Sequence, residues 1–444
     1  MGKKGNPMDE IEQKIINKID ASADRIIAFA EEIYRSAEPG FREFQTARKV
    51  ADLFKSLHLP TEEKIAVTGV RATLNPGAAH KVSLIGELDG IKCENHPCVN
   101  VENQISHACG HNAQLAALVG AAIALSDPEV AMSLGGTVDF LAVPAEEYVE
   151  HDVKMQLVRD GKVKYGIGGK SEFIQLGVFD DTEAVITHHV HYFNTPKDVL
   201  IGSNSSNGFI SKTIRIHGKA AHAGSAPWDG VNALNAAAIG LNALAYQRET
   251  FRDSDHVRVH PIMTHGGEVV NAVPSEAVIE MMVRAKTIAA MEDANRKTDR
   301  AFKAGALAVG AEIEIEDAPG YLPVIATPAF PAMIHVAELL SGEVEIGEVD
   351  LAEHNALSTD VGDINHLMPV VNFTTGGFRG GLHQADFEIT DKYKAYIIPA
   401  KIMALTAYRL LQNNGEEVRK LKEAFHPVLT KEQYFNHLEG KSVQ

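Results

Sequence analysis

The segment GTVDFLAVPAEE at residues 136–147 reads as an apolar strand followed closely by two adjacent carboxylates, Glu146 and Glu147. Three more apolar stretches lead into polar or glycine-rich residues in the same way: KVSLIGELDG at 81–90, AVITHHVH at 184–191, and PVVNFT at 369–374 before GGLH at 380–383. Helical spacing of apolar positions occurs at 8–35, 43–57, 113–126, 328–341 and 391–412. Residues 66–74 are a further predicted strand, and the strand within 184–191 is predicted to end at residue 187. Strands alternating with helices predict an α/β domain with a mostly parallel sheet flanked by helices.

The order of predicted helices and strands is different between residues 205 and 318. The predicted elements there are a strand (209–217), a helix (230–246), two strands (257–264 and 276–284), a helix (286–308) and a strand (311–316). The order β-α-β-β-α-β is typical of a ferredoxin-like α+β domain. We therefore predict one domain formed by residues 1–204 and 319–444, and a second domain, residues 205–318, inserted into it.

The composition argues against nucleic-acid-binding, membrane-bound and disulfide-rich classes of protein. The 444 residues include 45% hydrophobic residues, enough for a large core, and the net charge of −17 argues against nucleic-acid or anionic-membrane binding. Three cysteines, at 93, 98 and 109, do not form the pattern of a disulfide framework. The first thirty residues lack an apolar leader segment, and no apolar run is long enough to span a membrane. We expect a cytoplasmic location.

The polar residues that follow the predicted strands are the candidates for a metal-binding or catalytic site. In open α/β sheets, ligands bind beyond the carboxyl ends of the strands, so patches far apart in sequence can converge. HACGHN at 107–112 offers Cys109 and His111, and thiolate and imidazole suit zinc, while carboxylates also accept manganese. The alternative for this hexapeptide is a buried cysteine beside a helix-capping Asn112.

The remaining patches are ambiguous when each is taken separately. Adjacent glutamates are usually a solvated surface pair, but one can bind a metal while its neighbour acts as general base toward water. Among His188, His189 and His191 one ligand is expected, and the residues alone do not select it. His383, set among glycines, is by itself more typical of a loop residue than of a ligand.

Taken in order, the motifs of nearly the whole chain resemble metallopeptidase family 20. The resemblance is closest to its amidohydrolase branch, which includes hippurate hydrolases, plant indole-acetyl-amino-acid hydrolases and p-aminobenzoyl-glutamate hydrolases. The motifs are AEPGFREF (37–44), GELDG (86–90), HACGHN (107–112), PAEE (144–147), EAVITHH (183–189), GKAAHAG (218–224), NAVP (271–274), STDVGD (358–363) and GGLHQADFE (380–388).

The resemblance implies roles for particular residues. It implies two divalent ions, zinc or manganese, with five metal ligands: Cys109, His111, Glu147, His189 and His383. Glu146 would be the general base, and Asp89 would support the site without binding metal. The inserted domain would be a lid and dimerisation domain of a homodimer, in which His222 reaches a substrate carbonyl, often in the partner's site. Asn271 and Arg284 would hold the substrate's free carboxylate; the alternatives are a turn residue and a surface charge.

Two further hypotheses concern specificity. Arg379, four residues before His383, is a candidate for recognising a substrate carboxylate. Residues 148–167 read as an insertion with several basic side chains, which is either a solvated amphipathic segment, the interpretation we favour, or a specificity loop.

The sequence thus predicts a metal-dependent amidohydrolase that acts on small N-acyl amino acids. Acyl groups of the aroyl or indole-acetyl type are the expected ones. A dipeptidase or carboxypeptidase is the first alternative. A catalytically silent, metal-containing binding protein is the second, although the presence of Glu146 beside Glu147 argues against it.

Overall fold

The computed structural model describes residues 8–147, 149–191 and 195–440, which form two compact units. The first unit contains the chain up to Asn204 together with Ala326–Ala352 and Leu367–Val428. The second contains Ser205–Ile325, Glu353–His366 and the chain from Leu429 onward. The second unit thus includes segments beyond residue 318 that the sequence assigned to the first domain. The domain boundaries at 204/205 and 318/319 remain a prediction.

The helices and strands alternate along most of the chain. The helices are α1 (Glu10–Ala21), α2 (Ala23–Arg35), α3 (Phe44–Ser56), α4 (His111–Leu125), α5 (Pro128–Ser133), α6 (His151–Arg159), α7 (Gly169–Gln175), α8 (Ala233–Gln247), α9 (Ile288–Val309), α10 (Pro331–Leu340), α11 (Val361–Asn365), α12 (Ile398–Ala424, interrupted at 412–415) and α13 (Lys431–Leu438). The strands are β1 (Thr61–Ile65), β2 (Gly69–Leu74), β3 (His80–Glu87), β4 (Ile91–Lys92), β5 (Ile105–Ser106), β6 (Gly136–Val143), β7 (Ala184–Val190), β8 (Val199–Ile201), β9 (Ser205–Ser206), β10 (Gly208–His217), β11 (Arg258–His265), β12 (Glu276–Ala285), β13 (Glu312–Pro319), β14 (Ile346–Glu348), β15 (His354–Asn355), β16 (Val370–Thr375), β17 (Phe378–Arg379) and β18 (Glu388–Ile389).

The first unit is built on an eight-stranded sheet in the order β1-β2-β6-β3-β7-β16-β8-β14. Its four central strands, β6, β3, β7 and β16, are all parallel, and antiparallel pairs occur only toward the two ends of the sheet. Helix α4 is buried along its whole length and packs against β3, α2 and α12. The predicted α/β fold with a mostly parallel sheet and flanking helices is confirmed.

The carboxyl ends of the central strands lie at one edge of this sheet because the strands are parallel. Strand β3 ends at Glu87, opposite Val143 at the end of β6, and β7 runs to Val190, opposite Thr375 at the end of β16. The sequence predicted a shorter β7, ending at residue 187. The extra length places His188 and His189 inside a strand rather than in a loop.

The second unit contains a four-stranded antiparallel sheet in the order β11-β12-β10-β13. Alternate residues of β12, among them Ala277, Ile279 and Val283, are buried in a core shared with α8 and α9. The chain order β-α-β-β-α-β and this strand order confirm the predicted ferredoxin-like fold.

Two local predictions were wrong. The single helix expected over 8–35 is two helices that meet at Ser22. The strand expected to begin at residue 66 begins at Gly69, because Ala66 and Val67 have positive φ angles of 45° and 81° and form a turn after β1. Among the described residues, no helix is both long and apolar enough to cross a membrane.

Candidate metal centre

Two groups of metal-ligating side chains meet at the carboxyl-terminal edge of the first unit's sheet. Cys109, His111 and His189 form one group, and Cys109, Glu147 and His383 form the other. In each group the ligand atoms lie within 4.8 Å of one another. The structure therefore gathers all five residues that the sequence predicted as ligands, and Cys109 belongs to both groups.

The HACGHN motif turns sharply between its two candidate ligands. Gly110 has a φ of 83°, and a Cβ added there would lie 2.6 Å from Cγ1 of Val190. Glycine is therefore required at this turn, both for its backbone angle and for the space. His111, the first residue of α4, then lies in the same group as Cys109, which precedes the turn.

Strand geometry decides which of the three clustered histidines faces the group. Side chains alternate between the two faces of a strand, so His188 and His189 of β7 point in opposite directions. His189 Nε2 lies 3.6 Å from Cys109 Sγ, whereas His188 Nε2 lies 2.8 Å from Thr375 Oγ1. His191 follows the strand and is held by Thr374 Oγ1 at 2.8 Å.

Two buried acids hold the loop that carries Glu146 and Glu147. The Ala145 N–H donates to Glu43 Oε1 at 2.8 Å, and the Glu147 N–H donates to Asp89 Oδ2 at 2.8 Å. Ala145 has a φ of 52°, a strained angle for a residue other than glycine. Asp89 also accepts a hydrogen bond from His111 Nδ1 through its backbone carbonyl. The loop geometry thus depends on Glu43 and Asp89.

We expect Glu43→Ala to destabilise the protein and to reduce turnover. The substitution leaves the buried Ala145 N–H without its acceptor, which costs about 1–3 kcal/mol. Urea unfolding of the metal-free protein measures this loss, and Glu43→Gln is the matched control because its amide oxygen can still accept. An alanine variant with the stability and turnover of the glutamine variant would contradict the positioning role.

The donor atoms fit divalent ions. His111 Nε2 and Glu147 Oε1 are buried and make no hydrogen bond to the described residues. Yet Glu87 Oε2 lies 3.0 Å from His111 Nε2, and His383 Nε2 lies 3.1 Å from Glu147 Oε1. Burial, together with the charge of Glu147, raises the pKa of the Cys109 thiol well above its usual value. A bound cation would accept the lone pairs of His111 Nε2 and Glu147 Oε1, and it would stabilise the Cys109 thiolate.

Sequence reasoning missed three buried residues beside the groups. Glu87, the last residue of β3, accepts hydrogen bonds from Lys170 Nζ at 2.5 Å and from Gln114 Nε2 at 2.7 Å. Lys170 lies in α7, where a Cβ on the preceding Gly169 would lie 1.9 Å from the Pro144 carbonyl oxygen. The available signals were an acid at the end of an apolar strand and the GGK tripeptide at 168–170.

The three residues predicted to contact substrate from the inserted domain lie in the second unit. His222 and Asn271 are exposed and belong to paired loops, since the Ala223 N–H donates to the Asn271 carbonyl. His222 Nδ1 accepts the N–H groups of Gly224 and Ser225, both at 3.1 Å. The neutral imidazole therefore carries its proton on Nε2, which is left as a donor.

Arg284 and Arg379 occupy different environments. Arg284 is half-buried on β12, directly opposite Arg258 of β11, and burial lowers the pKa of its guanidinium. Like charges placed directly across two strands are destabilising, so an anion would stabilise this pair. Arg379 is exposed and forms an ion pair with Glu388 across the β17–β18 hairpin.

The predicted insertion at 148–167 contains α6, and Tyr148 lies outside the described residues. Val149 and Val163 are buried in a small apolar cluster with Phe41 and Ala145. Lys164 is exposed. This arrangement fits the interpretation as an amphipathic segment, and the role as a specificity loop stays a prediction.

An α/β sheet with convergent Cys, His and Glu side chains at its carboxyl edge, and a further glutamate at the same place, is the arrangement expected of a metal-dependent hydrolase. Residues 204–309 match the model of the M20 peptidase dimerisation domain. The chain is 28% identical over 445 residues to Xaa-Arg dipeptidase of Homo sapiens, covering 95% of this chain and 93% of that protein. It is 24% identical over 475 residues to a p-aminobenzoyl-glutamate hydrolase of Escherichia coli strain K12, covering 92% and 93%.

A solved structure of an M20-family peptidase from Bacillus subtilis, described as dinuclear metal binding, superimposes with a TM-score of 0.66. The two are 18% identical, and the match covers 88% of this chain and 99% of that one. The chain is thus similar to peptidases and amidohydrolases of metallopeptidase family 20, and it is a hydrolase.

Proposed function

We propose that this protein hydrolyses the amide bond of N-acyl amino acids, with acyl groups of the aroyl or indole-acetyl type, and releases a carboxylic acid and a free amino acid. The observation that carries the proposal is the pair of metal-ligating groups that share Cys109, with Glu146 at the same edge of the sheet. The similarity to p-aminobenzoyl-glutamate hydrolase supports the substrate class.

Two divalent ions, zinc or manganese, would be held by the two groups, one by Cys109, His111 and His189 and the other by Cys109, Glu147 and His383. When bound, such ions supply Lewis acidity, which polarises the scissile carbonyl and lowers the pKa of the attacking water. Thiolate and imidazole favour zinc, and the carboxylate also accepts manganese.

Glu146 is the proposed general base. Its Oε2 lies 3.9 Å from His111 Nε2, so it stands beside the first group while Glu147 belongs to the second. It takes a proton from water as the water attacks the carbonyl, and it returns the proton to the leaving amine. Glu43 and Asp89 keep the loop of both glutamates in place.

Three residues of the second unit are proposed to bind the substrate. His222 would donate its Nε2 proton to the developing oxyanion, and the backbone hydrogen bonds to its Nδ1 favour that tautomer. Asn271 and Arg284 would bind the free carboxylate, and the planar guanidinium suits this task. For Arg379, the ion pair with Glu388 favours a structural role over recognition of a substrate carboxylate.

We also propose that the protein acts as a cytoplasmic homodimer, assembled through the lid domain. The match of residues 204–309 to a peptidase dimerisation domain supports the assembly. His222 would then serve the site of the other protomer.

A dipeptidase is the second candidate. The similarity to Xaa-Arg dipeptidase extends over 95% of the chain and favours it. A dipeptide differs from an N-acyl amino acid only by a free amine on the acyl side, so the metal centre and Glu146 would act in the same way on both. The choice between them therefore depends on how the acyl side is recognised.

A substrate panel tests the two candidates. We expect metal-loaded protein to release amino acids from N-aroyl and N-acyl amino acids faster than from matched dipeptides, as measured by mass spectrometry. Protein with Glu146→Gln serves as the blank for each substrate. Preference for dipeptides, with little turnover after N-acetylation of their amine, would favour the dipeptidase and contradict the first candidate.

A further inference from the structure

Glu87 is a buried carboxylate that the five-ligand scheme does not use. It is the last residue of β3 and 2% exposed, and it lies beside His111, which is fully buried. Glu87, His111 and Glu146 form a third set of potential ligands, whose ligand atoms also lie within 4.8 Å of one another. His111 is thus common to this set and to the first metal-ligating group.

The contact between Glu87 and His111 has the geometry of two ligands rather than of a hydrogen bond. His111 Nδ1 donates to the Asp89 carbonyl oxygen at 2.8 Å, so the neutral ring has its lone pair on Nε2. That Nε2 atom lies 3.0 Å from Glu87 Oε2 but makes no hydrogen bond to the described residues. Two acceptors at this distance repel each other unless a proton or a metal ion lies between them.

The distance itself fits a shared ion. Two ligands bound at about 2.1 Å lie about 3.4 Å apart at the tetrahedral angle and about 3.0 Å apart at the 90° angle of a five-coordinate ion, so the observed separation fits the five-coordinate case. A carboxylate oxygen has two lone pairs, and among the described residues Gln114 Nε2 is the hydrogen-bond donor to Oε2, which uses one of them. The other lone pair is available to a metal.

The surroundings of Glu87 keep it charged and oriented. Lys170, which is fully buried, donates to Oε1, the oxygen that does not face His111. Gln114 fixes the other end of the carboxylate and also accepts the Glu87 backbone N–H at 3.3 Å. A buried ion pair is often no more stabilising than apolar residues of similar size, so folding alone does not require this one.

We propose that Glu87 is a further ligand of the ion that His111 binds, and that Lys170 and Gln114 position it. The inference rests on the metal centre of the proposed function. With it, the position at His111 gains a carboxylate, as the second position has in Glu147. The two positions would then have the same ligand charge and differ in the number of imidazole ligands.

Cobalt(II) substitution tests the proposal, because its visible bands report coordination number and its near-ultraviolet bands report the thiolate. We expect Glu87→Gln to weaken the binding of one of two ions by at least about 10-fold, the lower end of the range for supporting residues, and to change the visible spectrum. The double variant Glu87→Gln with Lys170→Met, which also removes the ammonium group that contacts Glu87, should do the same. If neither folds, Glu87→Asp keeps the charge and withdraws the carboxylate by one methylene.

Glu172→Gln is the matched control. Glu172 is a buried carboxylate of the same helix as Lys170, but it holds the backbone N–H groups of 164–166 rather than a side chain of the metal centre. It should keep the wild-type spectrum. This proposal would be overturned if the wild type binds two ions and the Glu87 variants have the same spectrum and the same affinity. That result would leave the proposed function unaffected. A wild type that binds no ions would instead overturn the proposed function.

Discussion

Glu146→Gln should reduce kcat by about 10²–10⁴-fold, the range that general acid–base catalysis contributes, while both metal positions stay filled. The amide is nearly the size of the carboxylate but cannot accept the proton of the attacking water. Glu146 belongs to neither of the two groups that share Cys109, and in its set with Glu87 and His111 it is proposed as the base and not as a ligand, so the bound metal should not change. Steady-state kinetics and metal analysis of the same preparation measure the two effects separately.

Glu345→Gln is the control for this variant. Glu345 is an exposed acid of the first unit that pairs with Lys197 at 3.3 Å, and its replacement should leave turnover unchanged. Wild-type turnover in Glu146→Gln would exclude the proposed general base. The absence of chelator-sensitive turnover in the wild type, on every amide tested, would favour the metal-containing binding protein instead.

Cys109→Ser should remove metal from both positions at once. Cys109 is the residue that the two groups share, and a serine hydroxyl does not ionise as a thiol does near neutral pH. The loss of affinity should exceed the roughly 10–100-fold that follows from changing a residue that merely supports a ligand. Metal analysis after gel filtration and the rise of Tm with added zinc both measure it, because an ion that binds only the folded state stabilises that state.

Cys98→Ser is the matched control, since Cys98 is half-buried and lies outside both groups. It should bind two ions and respond to zinc as the wild type does. Retention of two tightly bound ions by Cys109→Ser would show that the thiolate is not shared. By contrast, His189→Ala should affect only the first position, which gives a direct comparison between a shared and an unshared ligand.

The structure shows what the two buried glutamates of the motif AEPGFREF (37–44) contact. The Glu38 carboxylate accepts the backbone N–H groups of Gln45 and Thr46 at the start of α3, and Glu43 accepts the Ala145 N–H. Burial and the nearby charge of Asp89 raise the pKa of Glu43 to about 8. The motif therefore supports the loop of Glu146 and Glu147 and belongs to neither metal-ligating group.

Local patterns in the sequence were sufficient for the fold class and for most of the candidate ligands. The alternation of strands and helices predicted the α/β unit, and the β-α-β-β-α-β order predicted the ferredoxin-like unit. Cys109, His111 and Glu147 lie in short motifs next to predicted elements, and a parallel sheet brings such motifs to one edge. These are short-range properties, so the sequence alone determined them.

The resemblance already selected His189, but the orientation of His189 and the contact between Glu87 and Lys170 were decided only by the tertiary structure. His189 faces the metal-ligating group because β7 continues to Val190, and the alternation of side chains then turns His188 away. Glu87 and Lys170 are 83 residues apart, and they meet because Gly169 allows α7 to pack against Pro144. Contacts of this kind depend on strand length and close packing, which no local pattern of residues encodes.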